Sequence, residues 1–583
     1  MPRLSTDMKF LRLVEYFERL ENTSKRLEMY DILAELFKEA SAADIDKIVY
    51  LSQGQLLPPF LDLQIGMSEK LLIRAVSEAA SIPTRQVEQS FKESGDLGLT
   101  TAELLSDRKG CDLTTLQVYE ELTAIAGTGG ARSVDKKISL LSNLLKGVSA
   151  REGKYISRFV IGRLRLGIGD PTVLESLALS AGDREMKPDL ERAYNVCSDL
   201  GHVAATLKDE GMEGVGRIKT RVGYPIRPAL CERLPSSEDI IKKMGIAAVE
   251  AKYDGFRVQC HKSGDRVDLF SRNLEKTTHM FPEIVSALKK DVRAEKVIIE
   301  GEALAYSEET GELLPFQVTI QRKRKHGIET LSKELPLKFF AFDLLHLDGE
   351  DYTERPFSER REMLERIILK NDVIEPSRMF ITDDPLMISR YFETFLESGL
   401  EGIVAKRLDT PYAAGSRNFN WIKLKRSYKG ALSDTIDVCI VGYYRGRGAR
   451  AKLGIGGLLG ALYDPAADTF KTVSKIGIGF TEDEFRELKK ILDEIALKGK
   501  DRRVDSVMEA DVWVEPKYVI TVMADEITRS PSHTAGRDSE GVGYALRFPR
   551  ATGFIRIDKS AEDANTVAEI VELYSQQKQV SIG

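Results

Sequence analysis

The amino-acid sequence predicts a multidomain protein with an all-α N-terminal part, a mixed α+β centre and a strand-rich C-terminal part. Three observations lead to this prediction. Helix-spaced apolar residues fill the chain up to about residue 220, short apolar runs broken by turns and helices follow to about residue 428, and alternating residues open the last third. A length of 583 residues is also too great for one ordinary domain.

The N-terminal part shows the helical period clearly. Apolar residues within 11–20 and within 140–148 recur at helix spacing, and β-branched alternation is scarce. Short polar joints such as 127–130 separate the periodic runs. We expect helices up to a break at 222–228, where two prolines favour an extended segment over another helix.

The central part reads as short strands with two amphipathic helices between them. The helices are predicted near 281–290 and 358–370. The strand-like apolar runs are 247–249, 267–270, 297–299, 339–342 and 403–405. An α+β domain follows from this mixture.

The last third predicts a small barrel. One helix is expected at 482–495 and a closing amphipathic helix at 561–577. Strands are expected at 436–443, 457–463, 470–476 and 517–523. Several short strands, glycine-rich bends and one internal helix fit a β-barrel of the oligonucleotide-binding type, the OB-fold.

Composition excludes several classes of protein. No apolar run approaches the roughly 18 residues of a membrane span, and the N-terminus has no apolar signal core, so we expect a soluble, cytoplasmic protein. The five cysteines lie far apart without a CxxC pair, which excludes a disulfide scaffold and a four-cysteine zinc module. The formal net charge of −6 argues against a uniformly basic surface.

Positive charge is nevertheless concentrated locally. Residues 401–450 contain 10 Lys and Arg against 4 Asp and Glu, and residues 151–166 contain 5 against 1. The second stretch leads into the glycine-bearing segment Arg163–Gly169, and a third basic cluster occupies 322–326. Such stretches indicate contact with the phosphates of a nucleic acid, which carries no base sequence information.

Lysines and carboxylates follow several of the central strands. Lys252-Tyr253-Asp254-Gly255 comes shortly after the run 247–249, and Glu300-Gly301-Glu302 follows 297–299. Glu401 and Lys406 flank another run, while Trp421–Lys425 alternates so that its two lysines share a face. This convergence suits a polyphosphate with its divalent metal, and it favours a lysine whose pKa is lowered enough to act as a nucleophile.

In their order along the chain, these motifs resemble those of the covalent nucleotidyltransferases. From its helical N-terminal part to Arg-Phe-Pro-Arg at 547–550, the chain is similar to the archaeal and eukaryotic ATP-dependent DNA ligases. The resemblance implies a helical DNA-binding domain at 1–219, an adenylation domain at 220–428, and an OB-fold domain with a C-terminal helix at 429–583.

The resemblance also implies roles for individual residues. Lys252 would attack the α-phosphate of ATP, Glu250 would help to read adenine, and Phe342 would stack on it. Arg257, Arg272 and Glu302 would contact ribose or phosphate, and Glu401, with Glu302, would hold Mg²⁺ or another divalent cation. The phosphate clamp would consist of Arg417, Lys406, Lys423 and Lys425. Looser matches at Arg547, Arg550, Arg556 and Lys559 imply a motif that swings over the nucleotide.

The function implied is a DNA ligase, with ATP as co-substrate and nicked double-stranded DNA as its partner, active in replication, repair and recombination. AMP would pass from Lys252 to a 5′-phosphate, which the 3′-hydroxyl then attacks. We expect a monomer; binding to a sliding clamp through 86–92 has only weak support, since paired aromatics are missing.

Other functions remain as alternatives. An RNA ligase or a capping-type guanylyltransferase shares the lysine chemistry, although the long helical N-terminal part argues against both. An NAD-dependent DNA ligase is disfavoured by the missing cysteine cluster. A non-catalytic DNA-binding protein would be expected to have lost one of the central residues, and none is lost.

Overall fold

A computed structural model describes most of the chain. The described residues are 7–130, 132–307, 313–314, 319, 322, 335–397, 400–425, 435–446, 452–524 and 526–580. They form two compact units, Met1–Arg227 and Pro228–Gly583, which are taken in turn below. Within these described ranges, no helix is both long and apolar enough to cross a membrane.

The first unit is helical, as predicted. Each helix buries one apolar face, and Leu13, Val14, Phe17 and Leu20 of the first helix are all 2% exposed or less. Side chains cap two of the helices through reciprocal bonds, at Thr114 and Ser149. The helices are α1 Phe10–Glu21, α2 Arg26–Glu39, α3 Ile45–Ser52, α4 Glu69–Ala80, α5 Thr84–Ser94, α6 Leu97–Leu104, α7 Thr115–Gly127, α8 Ser133–Lys146, α9 Ala150–Val160, α10 Asp170–Ala181, α11 Lys187–Cys197 and α12 Leu200–Gly216.

The second unit begins with two sheets that carry the predicted site residues. The five-stranded sheet has the order β1-β11-β10-β2-β9, and the other has the order β4-β3-β5-β6-β7 with β8 paired to β6. The strands are β1 Leu230–Arg233, β2 Ala247–Lys252, β3 Phe256–Ser263, β4 Arg266–Ser271, β5 Lys296–Ala305, β6 Leu337–Leu347, β7 Glu350–Asp351, β8 Ile374–Pro376, β9 Met379–Thr382, β10 Gly402–Arg407 and β11 Arg417–Lys425.

Four helices pack on these sheets. They are α13 Ser237–Met244, α14 Pro282–Asp291, α15 Phe357–Ile367 and α16 Pro385–Glu397. α14 and α15 lie where amphipathic helices were predicted, and they cover the sheet that contains β5 and β6. The other two helices pack on the sheet that contains β2 and β10.

The C-terminal part is rich in strands, as predicted. Its largest sheet has the order β15-β17-β12-β13-β14-β16, with β18 and β21 attached, and β19 pairs with β20. The strands are β12 Ile436–Tyr444, β13 Gly457–Asp464, β14 Thr469–Ile476, β15 Ala496–Leu497, β16 Val504–Asp505, β17 Val512–Val514, β18 Val519–Met523, β19 Glu526–Ser530, β20 Gly543–Arg547 and β21 Arg550–Arg556. The helices are α17 Glu482–Asp493 and α18 Val567–Val580.

The extended segment expected at 222–228 differs from the structure. Residues 222–224 form a turn, and strand pairing begins only at Leu230, which lies opposite Arg417. Pro225 and Pro228 have no backbone N–H and cannot donate to a strand ladder, so the strand starts after the second proline.

Candidate active site

Lys252 lies at the end of β2, the inner strand between β10 and β9. Its partner across the ladder is Gly402, and the amide of Glu401 donates a 3.0 Å hydrogen bond to the carbonyl of Lys252. This backbone pairing brings the two side chains together, and the Lys252 ammonium contacts the Glu401 carboxylate directly. Lys425, on the neighbouring strand β11, approaches the same carboxylate to 3.3 Å.

Two motif glycines allow this close packing. Gly402 has a φ of 144°, and a Cβ at this position would overlap the carbonyl oxygen of Leu424. At Gly255, a Cβ would lie 2.6 Å from the carbonyl oxygen of Ala303. The glycines following Glu401 and Asp254 are therefore required by backbone contacts between neighbouring strands.

The predicted lowering of the pKa of Lys252 is wrong for this arrangement. Burial acts in that direction, but the Glu401 carboxylate outweighs it and raises the pKa of Lys252. On the acidic side, burial would raise the pKa of Glu401, yet Lys252 and Lys425 together lower it to about 2. The sequence argument assumed cationic neighbours, whereas the nearest group is an anion.

Glu302 lies on β5 opposite Arg257 of β3. Burial raises the pKa of Glu302 to about 7, and the Glu401 carboxylate adds to that rise while Lys252 and Arg257 oppose it. An additional positive charge nearby would lower the pKa of this carboxyl and stabilise its ionised form.

Arg257 is held in place by protein groups. Its Nε donates to Glu300 at 2.9 Å, and its Nη1 donates to the carbonyl of Ala229 at 2.9 Å. The hydroxyl of Tyr412 donates to the other oxygen of Glu300 at 2.7 Å. The guanidinium also lies 5.4 Å from the ring centroid of Phe342, so it faces the cavity from a fixed position.

Glu250 lies two residues before Lys252 on β2 and is 2% exposed. Its carboxylate pairs with the ammonium of Lys406 at 2.7 Å and with Arg361 at 3.1 Å. The sequence grouped Lys406 with the phosphate clamp, but the structure places its ammonium on Glu250 and 2.9 Å from the carbonyl of Phe342.

The ring of Phe342 lies beside these groups on β6. It makes an edge contact with Trp421, with ring centroids 6.0 Å apart, and the Lys406 ammonium lies 4.9 Å from its centroid. Glu250 and Lys252 line the same cavity of about 300 Å³ as Phe342. A flat aromatic ligand could stack there on Phe342.

Arg417 and Lys423, on β11, line the same cavity. Their nearest acid is Glu569 of α18, which lies 2.5 Å from Arg417 and 3.8 Å from Lys423. Burial lowers the pKa of Lys423 to about 8, and Glu569 opposes that change. The pKa of Glu569 falls to about 2, because Lys423 and Arg417 outweigh its burial.

Residues of the strand-rich part also line the cavity. Lys559 contacts Asp437 directly, and Arg556 pairs with Asp558 at 2.7 Å. Arg272 lies 3.5 Å from Asp563. These three cations, which were predicted from the sequence as site residues, are thus paired with carboxylates to which the sequence analysis gave no role.

Sequence reasoning missed several residues of the site. Arg361, Tyr412 and Glu569 stand in no recognisable motif, although all three bond to residues that do. Glu569 is the third residue of its helix, and its carboxylate and the Thr566 hydroxyl accept hydrogen bonds from each other's backbone amides. In the sequence, a Thr followed three residues later by Glu predicts a helix cap rather than a functional site.

The basic cluster at 322–326 has a different status. Of its residues only Arg322 belongs to the described part of the chain, and it is buried, bonding to Glu283 and to the carbonyl of Met280. Arg322 is therefore a structural cation. Most of the described members of the basic stretch 401–450 belong to β10 and β11, while 426–434 and 447–450 lie outside the described residues.

Comparison with known proteins now adds to the geometry. Models of three ligase segments match in chain order: the DNA ligase N terminus over 9–178, the ATP dependent DNA ligase domain over 228–425, and the ATP dependent DNA ligase C terminal region over 451–559. A probable DNA ligase of Dictyoglomus thermophilum is 50% identical over 99% of both chains. The DNA ligase of Sulfolobus acidocaldarius is 42% identical over 97% of this chain and 98% of its own, and a probable DNA ligase of Aquifex aeolicus is 42% identical over 99% and 100%.

Full-length similarity of this kind defines the class: the protein is a ligase that acts on DNA. Within that class, the chain belongs to the ATP-dependent DNA ligase family. The resemblance found in the motifs is thereby confirmed, and RNA ligase, capping enzyme and non-catalytic protein are not favoured.

Proposed function

We propose that this ligase seals nicks in duplex DNA through a covalent Lys252–AMP intermediate. The observation that carries the proposal is the position of Lys252, whose ammonium contacts the Glu401 carboxylate that Lys425 also approaches, in the cavity that Phe342 and Glu250 also line. Family membership supports ATP as the co-substrate.

In the first step, the Lys252 ammonium gives up a proton to solvent, and the neutral amine attacks the α-phosphorus of ATP. The N–P bond forms, the bond from the α-phosphorus to the bridging oxygen breaks, and pyrophosphate leaves. Attack requires a neutral amine, so the contact between Lys252 and Glu401 must be released when ATP binds. Phe342 would stack on adenine, and Arg257, Arg272 and Glu302 would contact ribose or phosphate.

In the later steps, the 5′-phosphate of the nick takes AMP from Lys252, and the 3′-hydroxyl then attacks that phosphate and releases AMP. Arg417, Lys423 and Lys425 would balance phosphate charge throughout, since phosphoryl transfer depends on positioning and fixed positive charge. Lys406 would act beside the adenine base instead, because its ammonium pairs with Glu250.

The residues present fit a divalent cation. Glu401 and Glu302 are two carboxylates that line the same cavity, and no group of three or more potential metal ligands occurs in the described part of the chain. Mg²⁺ typically binds one or two carboxylates together with substrate phosphates, which matches this donor set. When bound, the cation would supply positive charge beside the phosphates.

We propose DNA contact through the glycine-bearing segment Arg163–Gly169 of the helical unit. Arg163 pairs with Glu69 at 2.7 Å and Arg165 pairs with Asp96 at 3.2 Å, so both side chains have fixed orientations. Contact with phosphates would let the enzyme act on any sequence, with an affinity that falls steeply with salt. An OB-fold for the C-terminal part, and domain boundaries at 219/220 and 428/429, belong to the same proposal.

A monomeric state and roles in replication, repair and recombination are likewise proposed from the family. Clamp binding through 86–92 gains no support from the structure. That segment lies inside α5, and Val87 is fully buried, so it is not available as an extended peptide.

The test is transfer of label from α-labelled ATP to the protein, detected after denaturation in the presence of Mg²⁺. We expect labelling of the wild-type enzyme and none of Lys252→Ala. Lys471→Ala is a matched control, since the Lys471 side chain is 25% exposed and paired with Asp464, against 23% for Lys252. Equal labelling of Lys252→Ala would overturn the assignment, and comparison of nicked DNA with nicked RNA tests the substrate.

A further inference from the structure

The carboxylate of Glu250 is bound by three donors from three separate parts of the chain. Arg361 of α15 donates to Oε1 at 3.1 Å, and the Ser377 hydroxyl donates to the same oxygen at 2.9 Å. Lys406 of β10 lies 2.7 Å from Oε2. All four side chains are at most 6% exposed.

The two donors on Oε1 are themselves fixed. Ser377 follows β8, and its amide donates to the carbonyl of Ala341 at 2.7 Å, at the point where the chain passes from one sheet to β9 of the other. Arg361 bonds to both the hydroxyl and the carbonyl of Ser377, at 2.9 and 2.6 Å. The carboxylate therefore has one orientation relative to both sheets.

We infer that Arg361 and Ser377, with Lys406, are positioning residues that make Glu250 a selective acceptor for the exocyclic amine at C6 of a purine. This inference rests on the proposed function, because it assigns how the same cavity chooses its nucleotide. None of the three touches the reacting phosphate; they act through Glu250.

Glu250 has one acceptor position left over from its three protein donors. A carboxylate offers about four acceptor positions, and three donors already occupy positions on Glu250. Two donors are on Oε1 and one is on Oε2, and Glu250 lines the cavity, so we assign the remaining position, on Oε2, to a ligand bound there. A 6-amino purine presents a donor there, whereas a 6-oxo purine presents a second acceptor, which leaves two desolvated acceptors opposed.

Lys406 links this reader to the stacking surface. Its ammonium bonds to Glu250 and to the carbonyl of Phe342, and it lies 4.3 Å from the ring centroid of Trp421. The acceptor and the aromatic ring are therefore held at a fixed separation. A base stacked on Phe342 would present its edge to Glu250 in a defined way.

The experiment compares ATP with purine riboside triphosphate, which has hydrogen in place of the C6 amine, and with inosine triphosphate, which has oxygen. Rates of label transfer to Lys252 give kcat/KM for each nucleotide. For the wild-type enzyme we expect ATP to exceed purine riboside triphosphate by roughly 10- to 100-fold, the usual range for a hydrogen bond to a charged group. Inosine triphosphate should be poorer still.

The variants are Arg361→Gln and Ser377→Ala. We expect each to lower kcat/KM for ATP by roughly three- to tenfold or more while the rate with purine riboside triphosphate stays unchanged, so that the ratio falls. Retained transfer from the second nucleotide also shows that the variant is folded. The matched controls are Arg366→Gln, on the same helix but in a surface pair with Glu362, and Ser389→Ala, whose hydroxyl bonds to Ser237.

The outcomes separate this inference from the proposed function. A falling ratio in both variants, with both controls unchanged, supports the inference. An unchanged ratio, or an equal loss with all nucleotides, shows a structural role only and overturns it. A wild-type enzyme that is labelled equally by all three nucleotides also overturns it but leaves the lysine chemistry intact, whereas no label from any nucleotide refutes the proposed function itself.

Discussion

Two groups of charged side chains in and beside the cavity, which we call the base end and the phosphate end after the roles proposed for them, are built in opposite ways. At the base end, Glu250, Arg361 and Lys406 bond to one another and to backbone groups of β6 and residue 377, with 6% exposure or less. At the phosphate end, Arg417 and Lys423 are 24% and 21% exposed, and their acidic partner comes from the C-terminal helix α18. The base end therefore pairs its charges among residues of the two central sheets and their helices, whereas the cations of the phosphate end are paired with a carboxylate from the strand-rich part of the unit.

The difference separates recognition from exchange. A buried network that holds Glu250 in one orientation and leaves one acceptor position open would, on the proposed function, discriminate between bases before any nucleotide is bound. A cation held by a carboxylate from a neighbouring element can exchange that carboxylate for a phosphate. On this proposal, the ion pairs of Glu250 stay in place at the base end, whereas at the phosphate end a phosphate can replace Glu569 as the partner of Arg417 and Lys423.

The largest effect expected from this comparison concerns stability. Arg360 is buried beside the base end and makes two hydrogen bonds to Asp343, at 2.7 and 3.0 Å. Arg360→Met would leave a buried carboxylate without its partner, which costs about 3–5 kcal/mol of unfolding free energy. Thermal unfolding should show a large loss for Arg360→Met and a much smaller one for Arg417→Met at the phosphate end.

The surface pair of Arg366 with Glu362 provides the control on the same helix, since both side chains are more than 60% exposed. Arg366→Met should change the melting temperature very little. Equal losses for Arg360→Met and Arg417→Met would contradict the distinction between the two ends.

Glu401→Gln should have the next largest effect, on the rate of adenylation. It keeps the shape of the side chain but removes the negative charge that we assign to the divalent cation. We expect label transfer to slow by roughly 10²–10³-fold, as for the loss of one preorganised electrostatic contact. Initial rates at saturating Mg²⁺ measure this, with Glu393→Gln on the exposed face of α16 as the control.

A competing effect sharpens the reading of that experiment. Removing Glu401 also removes the group that raises the pKa of Lys252, which by itself favours the neutral amine. A Glu401→Gln rate near or above that of the wild type would show that this second effect dominates and that the assignment of the cation to Glu401 is wrong.

Glu569→Gln should act more weakly and in the opposite direction. Glu569 pairs with the two cations that would otherwise receive phosphates, so the neutral variant should bind ATP better. If the paired state must open before ATP binds, the apparent KM should fall by roughly two- to tenfold. Glu562→Gln is the control, because Glu562 pairs with Arg503 away from this cluster; a KM raised by Glu569→Gln would refute the competition.

The sequence predicted those residues of the candidate site whose pattern extends over only a few neighbouring positions. Lys252, Glu401 and the two lysines of β11 were predicted because strand alternation and strand ends are readable over a few residues. Arg361 and Glu569 lie on helices whose charged faces look like ordinary solvated surfaces. Arg361 is 111 residues from Glu250 along the chain, and Glu569 is 152 residues from Arg417, so only the tertiary fold brings each pair together. The sign of the pKa change at Lys252 failed for the same reason, since the nearest charge depends on strand register.

The smallest expected effect is a pH dependence of nucleotide binding at the phosphate end. With a pKa of about 8, Lys423 is charged below pH 8 and neutral above it, so raising the pH from 7 to 9 removes one positive charge from the clamp. The Kd for α,β-methylene ATP, which cannot transfer AMP, should therefore rise by roughly three- to tenfold over this interval. Lys423→Arg stays protonated throughout and should give a flatter profile, whereas Lys471→Arg should keep the wild-type one. If Lys423→Arg retains the full pH dependence, another group titrates and the phosphate end is not tuned by this lysine.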